Sequence, residues 1–265
     1  MKKQYGKCVI CGKYANLTFE HVPPRAAFNK DRVKTYSADE LFREENKNRL
    51  PWEFEGLKYT NNQRGTGGYY LCAECNSLAG TLYVNDYVHF VECLDYLWHK
   101  AYGINSSRIS FELKEIRPLA IIKQIMIMFC DINQGLMGEK SLREFILNQN
   151  SHTFDKNKFR IFIHLPMGVY ERANALSYLI YSNPSVRMFQ ISELIFHPLG
   201  ITLYKDLPKE YDVEGAKITH FVDYNYEDKV SGEFCIPILE CNTSLPKDYR
   251  KKEEILKCMH RNRHM

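Results

Sequence analysis

Apolar side chains recur at helical spacing along Val84, Tyr87, Val88, Val91, Leu94, Trp98 and Tyr102. One face of this stretch is therefore continuously apolar, and the spacing predicts a helix from about Asn76 to Tyr102. "GINSS" (103–107) reads as a connector and "RISFELK" after it as a strand. A dense apolar window, Leu119–Cys130, predicts a buried helix over about 117–133, and another helix follows over about 139–148. From Lys158 onward the period becomes two. "FRIFIHLPM", "LSYLIYS", "VRMFQIS", "LIFHPLGITLY", "KITHFVDYNY" and "FCIPILEC" each read as a strand, rich in β-branched and aromatic residues. The tail "KDYRKKEEILKCMHRNRHM" reads as a helix with a basic end, either a solvated terminus or an arm that contacts phosphate. The expected organisation is α+β: an N-terminal unit over 1–103, then an α+β domain over 104–265 built on a mostly antiparallel sheet.

Composition narrows the setting. With 265 residues, 45% of them hydrophobic, the chain can bury a core without staples. A formal net charge of +4 permits a polyanionic partner without demanding one. The Leu119–Cys130 window is too short to span a bilayer and carries Lys123 and Gln124. The opening "MKKQYGKCVIC" lacks the apolar run of a signal peptide. The expectation is a cytoplasmic protein with no membrane partner, open to a protein partner or homo-oligomer. Nine cysteines, an odd number, argue against a closed disulfide framework. Cys93, Cys130, Cys235, Cys241 and Cys258 are scattered singly and read as reduced apolar fillers.

The other four cysteines carry chemistry. "CVICG" (Cys8, Cys11, Gly12) and "CAECN" (Cys72, Cys75, Asn76) are each C-x-x-C. A two-residue gap lets both thiolates of a tight turn reach one tetrahedral ion, and four thiolates close a structural Zn2+ site. The pairs lie about 60 residues apart, so one ion would tie together the ends of a long segment. That segment contains "FEHVPPR", where Glu20 precedes His21 and Pro23 and Pro24 stiffen the chain. Taken alone, Glu20-His21 also reads as an exposed strand end, and Asn76 as a helix N-cap. "GTGGYY" reads as a tight turn into the second knuckle, because no Walker-type Lys-Ser/Thr follows it.

In order, C-x-x-C, Glu-His with Pro24 three residues after the His, and C-x-x-C-N resemble the HNH endonucleases (His-Me finger, ββα-metal), in particular a zinc-knuckle-bearing bacterial subgroup. The resemblance covers roughly residues 5–100. It implies a zinc-stapled ββα-metal nuclease unit that hydrolyses phosphodiester bonds in nucleic acid, most simply DNA, in a setting such as bacterial defence or restriction. It implies Glu20 and Asn76 as ligands of a catalytic Mg2+ or Mn2+, and His21 as the general base. Arg25 and Arg64 are candidate phosphate contacts. The family's middle Asn, which steadies the loop bearing the His, falls here at or near Gly67, with Asn61 and Asn62 as nearby substitutes. The rival expectation, fed by that missing Asn, is a non-catalytic zinc-ribbon module that binds nucleic acid or protein. RNA is a third candidate target.

Overall fold

A computed structural model describes residues 4–104, 106–182 and 186–262. The basic end of the C-terminal tail and Asn105 of the predicted connector lie outside the described residues. The fold is α+β with mostly antiparallel sheets. It opens with β1 (Gln4–Lys7), β2 (Tyr14–His21), β3 (Val33–Thr35), a one-turn α1 (Ala38–Leu41), β4 (Thr60–Asn62), β5 (Gly67–Cys72), α2 (Ala73–Leu82) and α3 (Val84–Ala101). It continues with β6 (Arg108–Ile116), α4 (Pro118–Ile132), α5 (Lys140–Leu147), β7 (Phe159–Gly168), β8 (Arg172–Ser182), β9 (Val186–Phe196), β10 (Leu199–Lys205), β11 (Ala216–Lys217), β12 (Val230–Cys241) and α6 (Lys252–Asn262).

Three sheets result. The first is three-stranded, in the order β1-β2-β5, and the second is the two-stranded pair β3-β4. The third is seven-stranded, in the order β6-β12-β7-β10-β9-β8, with β11 also on β7. In it β12 pairs with β7 in parallel, and its other pairings are antiparallel. Helix α4 is buried from Pro118 to Asp131. One buried cluster runs from Cys8 through α3 and α4 to Ile236, so the segments before and after residue 103 share a core. Polar clasps reinforce the seam. Arg117 at the start of α4 grips Asp86 of α3 through two bonds of 2.7 and 2.8 Å. The Tyr226 hydroxyl donates to the Leu82 carbonyl at 2.8 Å. Among the described residues no helix is long and apolar enough to cross a membrane. Lys123 has a structural task instead: its ammonium donates to the carbonyls of Phe145, Asn148 and Ser151, closing the C-terminal end of α5.

Three predicted elements differ from those observed. The helix expected over 76–102 is two helices, broken at Tyr83, whose φ of −128° leaves the helical range. Tyr83 is fully buried and its hydroxyl donates to the Ile146 carbonyl at 2.8 Å, a tertiary contact that overrides local periodicity. "LIFHPLGITLY" is not one strand but the end of β9, a turn at His197-Pro198, and β10. "KITHFVDYNY" is mostly a 3-10 turn over Thr219–Asp223 rather than a strand. Ile218, Phe221 and Val222 bury themselves there, and the Ile161 amide donates to the Thr219 hydroxyl at 2.9 Å.

His164, wholly buried on β7, gives the fold an acid limit. Burial, then the nearby charge of Arg172, pushes its pKa down from 6.5 to about 3. The unfolded chain therefore takes up a proton near pH 6.5 that the native chain refuses until about pH 3. Stability is lost as pH falls through that window, by up to about 1.4 kcal/mol per pH unit. Urea midpoints of the wild type should fall more steeply between pH 6.5 and 4 than those of His164→Gln; equal slopes would assign the acid sensitivity to other groups.

Candidate functional site

The cysteine knuckles are built by turn and cap geometry. After β1 the chain reverses tightly: the Gly12 amide donates to the Cys8 carbonyl at 2.9 Å, and the Cys8 amide to the Lys13 carbonyl at 2.9 Å. Gly12 adopts φ +74°, which favours glycine. Cys72 is the N-cap of α2 and Cys75 lies in its first turn, so both sulfurs sit at the positive end of the helix. The Val9 amide docks one knuckle on the other by donating to the Tyr70 carbonyl at 3.1 Å. The Sγ atoms of Cys8, Cys11, Cys72 and Cys75 all lie within 4.8 Å of one another, and those of Cys11 and Cys72 are 3.8 Å apart. Sulfurs held about 2.3 Å from one tetrahedral ion sit about 3.8 Å apart.

The electrostatics of the cluster point the same way. Cys8 is pulled below the ordinary thiol range, first by the Cys75 thiol donating to it and then by backbone amides. Cys75 is driven up, first because it gives its proton to that bond and then by burial and the Cys8 charge. None of the four is in a disulfide. Four cysteine sulfurs this close to one another are a donor set that fits an ion of the zinc class.

Between the knuckles, β2 presents two faces. The Thr18 hydroxyl donates to the Leu71 carbonyl at 3.0 Å, so towards Asn76 it can only accept, and Asn76 Nδ2 donates to it at 2.9 Å. The amide orientation is thereby fixed, and Asn76 Oδ1 has no protein partner among the described residues. Glu20 shares the face of Thr18. It is 8% exposed, no hydrogen-bond donor among the described residues reaches its carboxylate, and burial pushes its pKa up to about 7. Close behind lies Asp131 of α4, 2% exposed, with both carboxylate oxygens buried and unpartnered among the described residues. Burial, then the charges of Glu20 and Cys8, raise it well above its ordinary value. Buried carboxyls with no donor are a fit for a hard cation, and Asn76 Oδ1 adds a neutral oxygen ligand.

His21 lies on the opposite face, edge-on to Phe19 with ring centroids 5.0 Å apart. It is the last residue of β2. His21 Nε2 lies 2.9 Å from the Arg64 carbonyl. A carbonyl only accepts, so Nε2 carries the proton and Nδ1 is left as the basic nitrogen.

The loop that supplies this carbonyl is held by a side chain the sequence did not point to. Asn29 Nδ2 donates to the carbonyls of Pro23 (2.6 Å) and Thr66 (2.8 Å), while its Oδ1 accepts from the Thr66 amide at 2.7 Å. The Thr66 hydroxyl donates to the Val22 carbonyl at 2.7 Å. Asn61 and Asn62 lie elsewhere, on β4: Asn61 accepts from Arg32 and Asn62 donates to Thr35. Glycine is required at two points of this clasp. A Cβ on Gly65, whose φ is +86°, would come within 2.2 Å of Asn29 Oδ1, and one on Gly67 within 2.1 Å of the Glu20 carbonyl. Arg25 and Arg64 are exposed on the same loops, and their guanidiniums have no partner among the described residues. Comparison with protein-family models, curated proteins and solved structures returns no match for the chain.

Proposed function

We propose that this chain is a metal-dependent endonuclease of the HNH type, with Zn2+ held by Cys8, Cys11, Cys72 and Cys75 and Mg2+ or Mn2+ held by Glu20 and Asn76. The observation that carries the reading is the His21–Arg64 hydrogen bond, which leaves a base at Nδ1 on a segment that also carries the exposed Arg25. When bound, the divalent ion supplies positive charge to the scissile phosphate and the departing 3′-oxygen. His21 Nδ1 takes the proton of the attacking water, and the Arg64 carbonyl stabilises the imidazolium by accepting the Nε2 proton. Glu20 and Asn76 Oδ1 would hold the ion, while Arg25 and Arg64 would hold flanking phosphates. DNA is the proposed target and the C-terminal sheet the part that selects it. Bacterial defence or restriction is the setting suggested by the family resemblance alone.

The second reading, a non-catalytic zinc module that binds nucleic acid or protein, draws on a specific observation: Glu20 is nearly buried and lies on the strand face opposite His21. A nicking assay on supercoiled plasmid with Mg2+ or Mn2+, run beside a structured RNA, separates the readings. Nicked or linear plasmid supports the nuclease. Cleavage of RNA alone moves the substrate class, and intact polymer under every ion favours the binding module.

The Asn29 clasp gives a further expected outcome. Asn29→Ala leaves the Thr66 amide and the Pro23 carbonyl without their partner, which should cost about 1–3 kcal/mol and slow cleavage by loosening the His21 loop, with zinc content unchanged. Thermal melts, zinc analysis and nicking rates check it. Unchanged cleavage would show that the loop's backbone bonds suffice.

A further inference from the structure

A second group of side chains, apart from the hairpin site, has the geometry of metal ligands. Asp95 and His99 lie one turn apart on α3, and His197 comes from the turn between β9 and β10. Their ligating atoms all lie within 4.8 Å of one another. His197 Nε2 is 2.6 Å from Asp95 Oδ1, and His99 Nε2 is 3.6 Å from the same oxygen. Two ligand atoms at about 2.0–2.1 Å from a single tetrahedral ion sit about 3.3 Å apart. The observed separations bracket that value, and one of the two rings is free to adjust, since the His99 side chain is 68% exposed.

The rest of the group is held in place. The His197 ring lies edge-on to Trp98, centroids 4.6 Å apart, and to Phe28 at 5.5 Å. Its backbone amide donates to Glu171 Oε1 at 3.0 Å. Those contacts aim Nε2 at Asp95. A simple His–Asp hydrogen bond accounts for His197 alone. It leaves unexplained a second imidazole, 6.1 Å away by ring centroid, with its Nε2 turned to the same oxygen.

We propose that Asp95, His99 and His197 form a second metal site that takes a divalent transition ion of the zinc class. Two imidazole nitrogens and one carboxylate oxygen suit such ions rather than Mg2+ or Ca2+, and three protein ligands leave positions open to water. The bound ion ties α3 to the β9–β10 turn. Through Phe28, which precedes Asn29, it also braces the loop behind His21. The assignment is independent of whether the chain cleaves nucleic acid, and its test reads binding.

The full-length protein, saturated with Zn2+ and then desalted, is assayed for zinc per chain beside His99→Ala, Asp95→Asn and Glu20→Gln. Co2+ binding to each as-purified protein is followed in the visible and near ultraviolet. The expected result is that His99→Ala and Asp95→Asn each hold one zinc fewer than wild type. They should also lose a weak visible cobalt band that lacks the intense near-ultraviolet sulfur-to-metal absorption, while Glu20→Gln keeps both. Because His99 is exposed, its substitution should leave the melting temperature without added metal unchanged. Equal zinc content in wild type, His99→Ala and Asp95→Asn overturns the proposal, as does loss of the same ion in Glu20→Gln.

Discussion

His21→Ala is expected to slow single-turnover cleavage by about 10²- to 10⁴-fold, with zinc content, melting temperature and DNA affinity close to wild type. The reason is a division of labour. The cysteines hold the scaffold, Glu20 of β2 and Asn76 of α2 are the proposed ion ligands, and His21 alone projects a basic nitrogen from the strand's end. Its ring bonds one backbone carbonyl and meets Phe19 edge-on, so little of the fold depends on it, and a half-exposed side chain of this kind typically costs little stability. Asn76→Ala should behave differently. It removes the proposed oxygen ligand and a bond to Thr18, so it should weaken divalent-ion affinity, and extra Mn2+ should restore part of the rate. Extra Mn2+ should not rescue His21→Ala. Nicking rates across a manganese titration check both; a His21 variant that cuts at the wild-type rate would remove the proposed base.

Cys72→Ser is expected to have the largest effect on stability. Apparent zinc-binding energies for four-ligand folding units are about 10–16 kcal/mol, and a missing thiolate gives up a large share of that. The loss cannot stay local. Cys72 and Cys75 begin α2, Cys8 and Cys75 are buried in the same cluster as α3 and α4, and Asp131 of α4 lies beside them. The variant should therefore lose zinc and melt well below wild type as a whole, and a strong chelator should reproduce the effect in the wild-type chain. Metal analysis paired with calorimetry reads both. Full zinc content with an unchanged melting temperature would show that Cys72 is not a ligand.

The residues that were legible in the sequence are those whose chemistry is declared by local spacing. Two C-x-x-C pairs point to a four-cysteine cluster because the two-residue gap itself sets the sulfur positions. The buried run of α4 and the alternating strands from Phe159 onward were legible for the same reason: the period of the side chains is the period of the element. What stayed hidden is made by contacts distant in sequence. Asn29 meets Thr66 across 37 residues, and His197 meets Asp95 across 102. Nothing in "AAFNK" distinguishes an asparagine that clasps two loops from one in an ordinary turn. Asp131 offered only a faint signal, a carboxylate at the end of an apolar run. "KITHFVDYNY" misled because Ile218, Phe221 and Val222 mimic strand alternation while burying themselves in a 3-10 turn. The break at Tyr83 had no local marker, since its cause is a hydroxyl reaching Ile146.

The central claim is that a buried carboxylate on β2 and an oriented amide on α2 hold a divalent ion beside a base at the strand's end. An anomalous-difference map from crystals soaked in Mn2+, with the zinc edge recorded separately, tests it most directly. The account predicts a zinc peak among Cys8, Cys11, Cys72 and Cys75, and a manganese peak bonded to the Glu20 carboxylate and Asn76 Oδ1 at about 2.1–2.4 Å, with His21 Nδ1 facing a water near it. Manganese absent from Glu20 at saturating concentration, or Glu20 still buried with Asn76 Oδ1 bonded to protein, would contradict it.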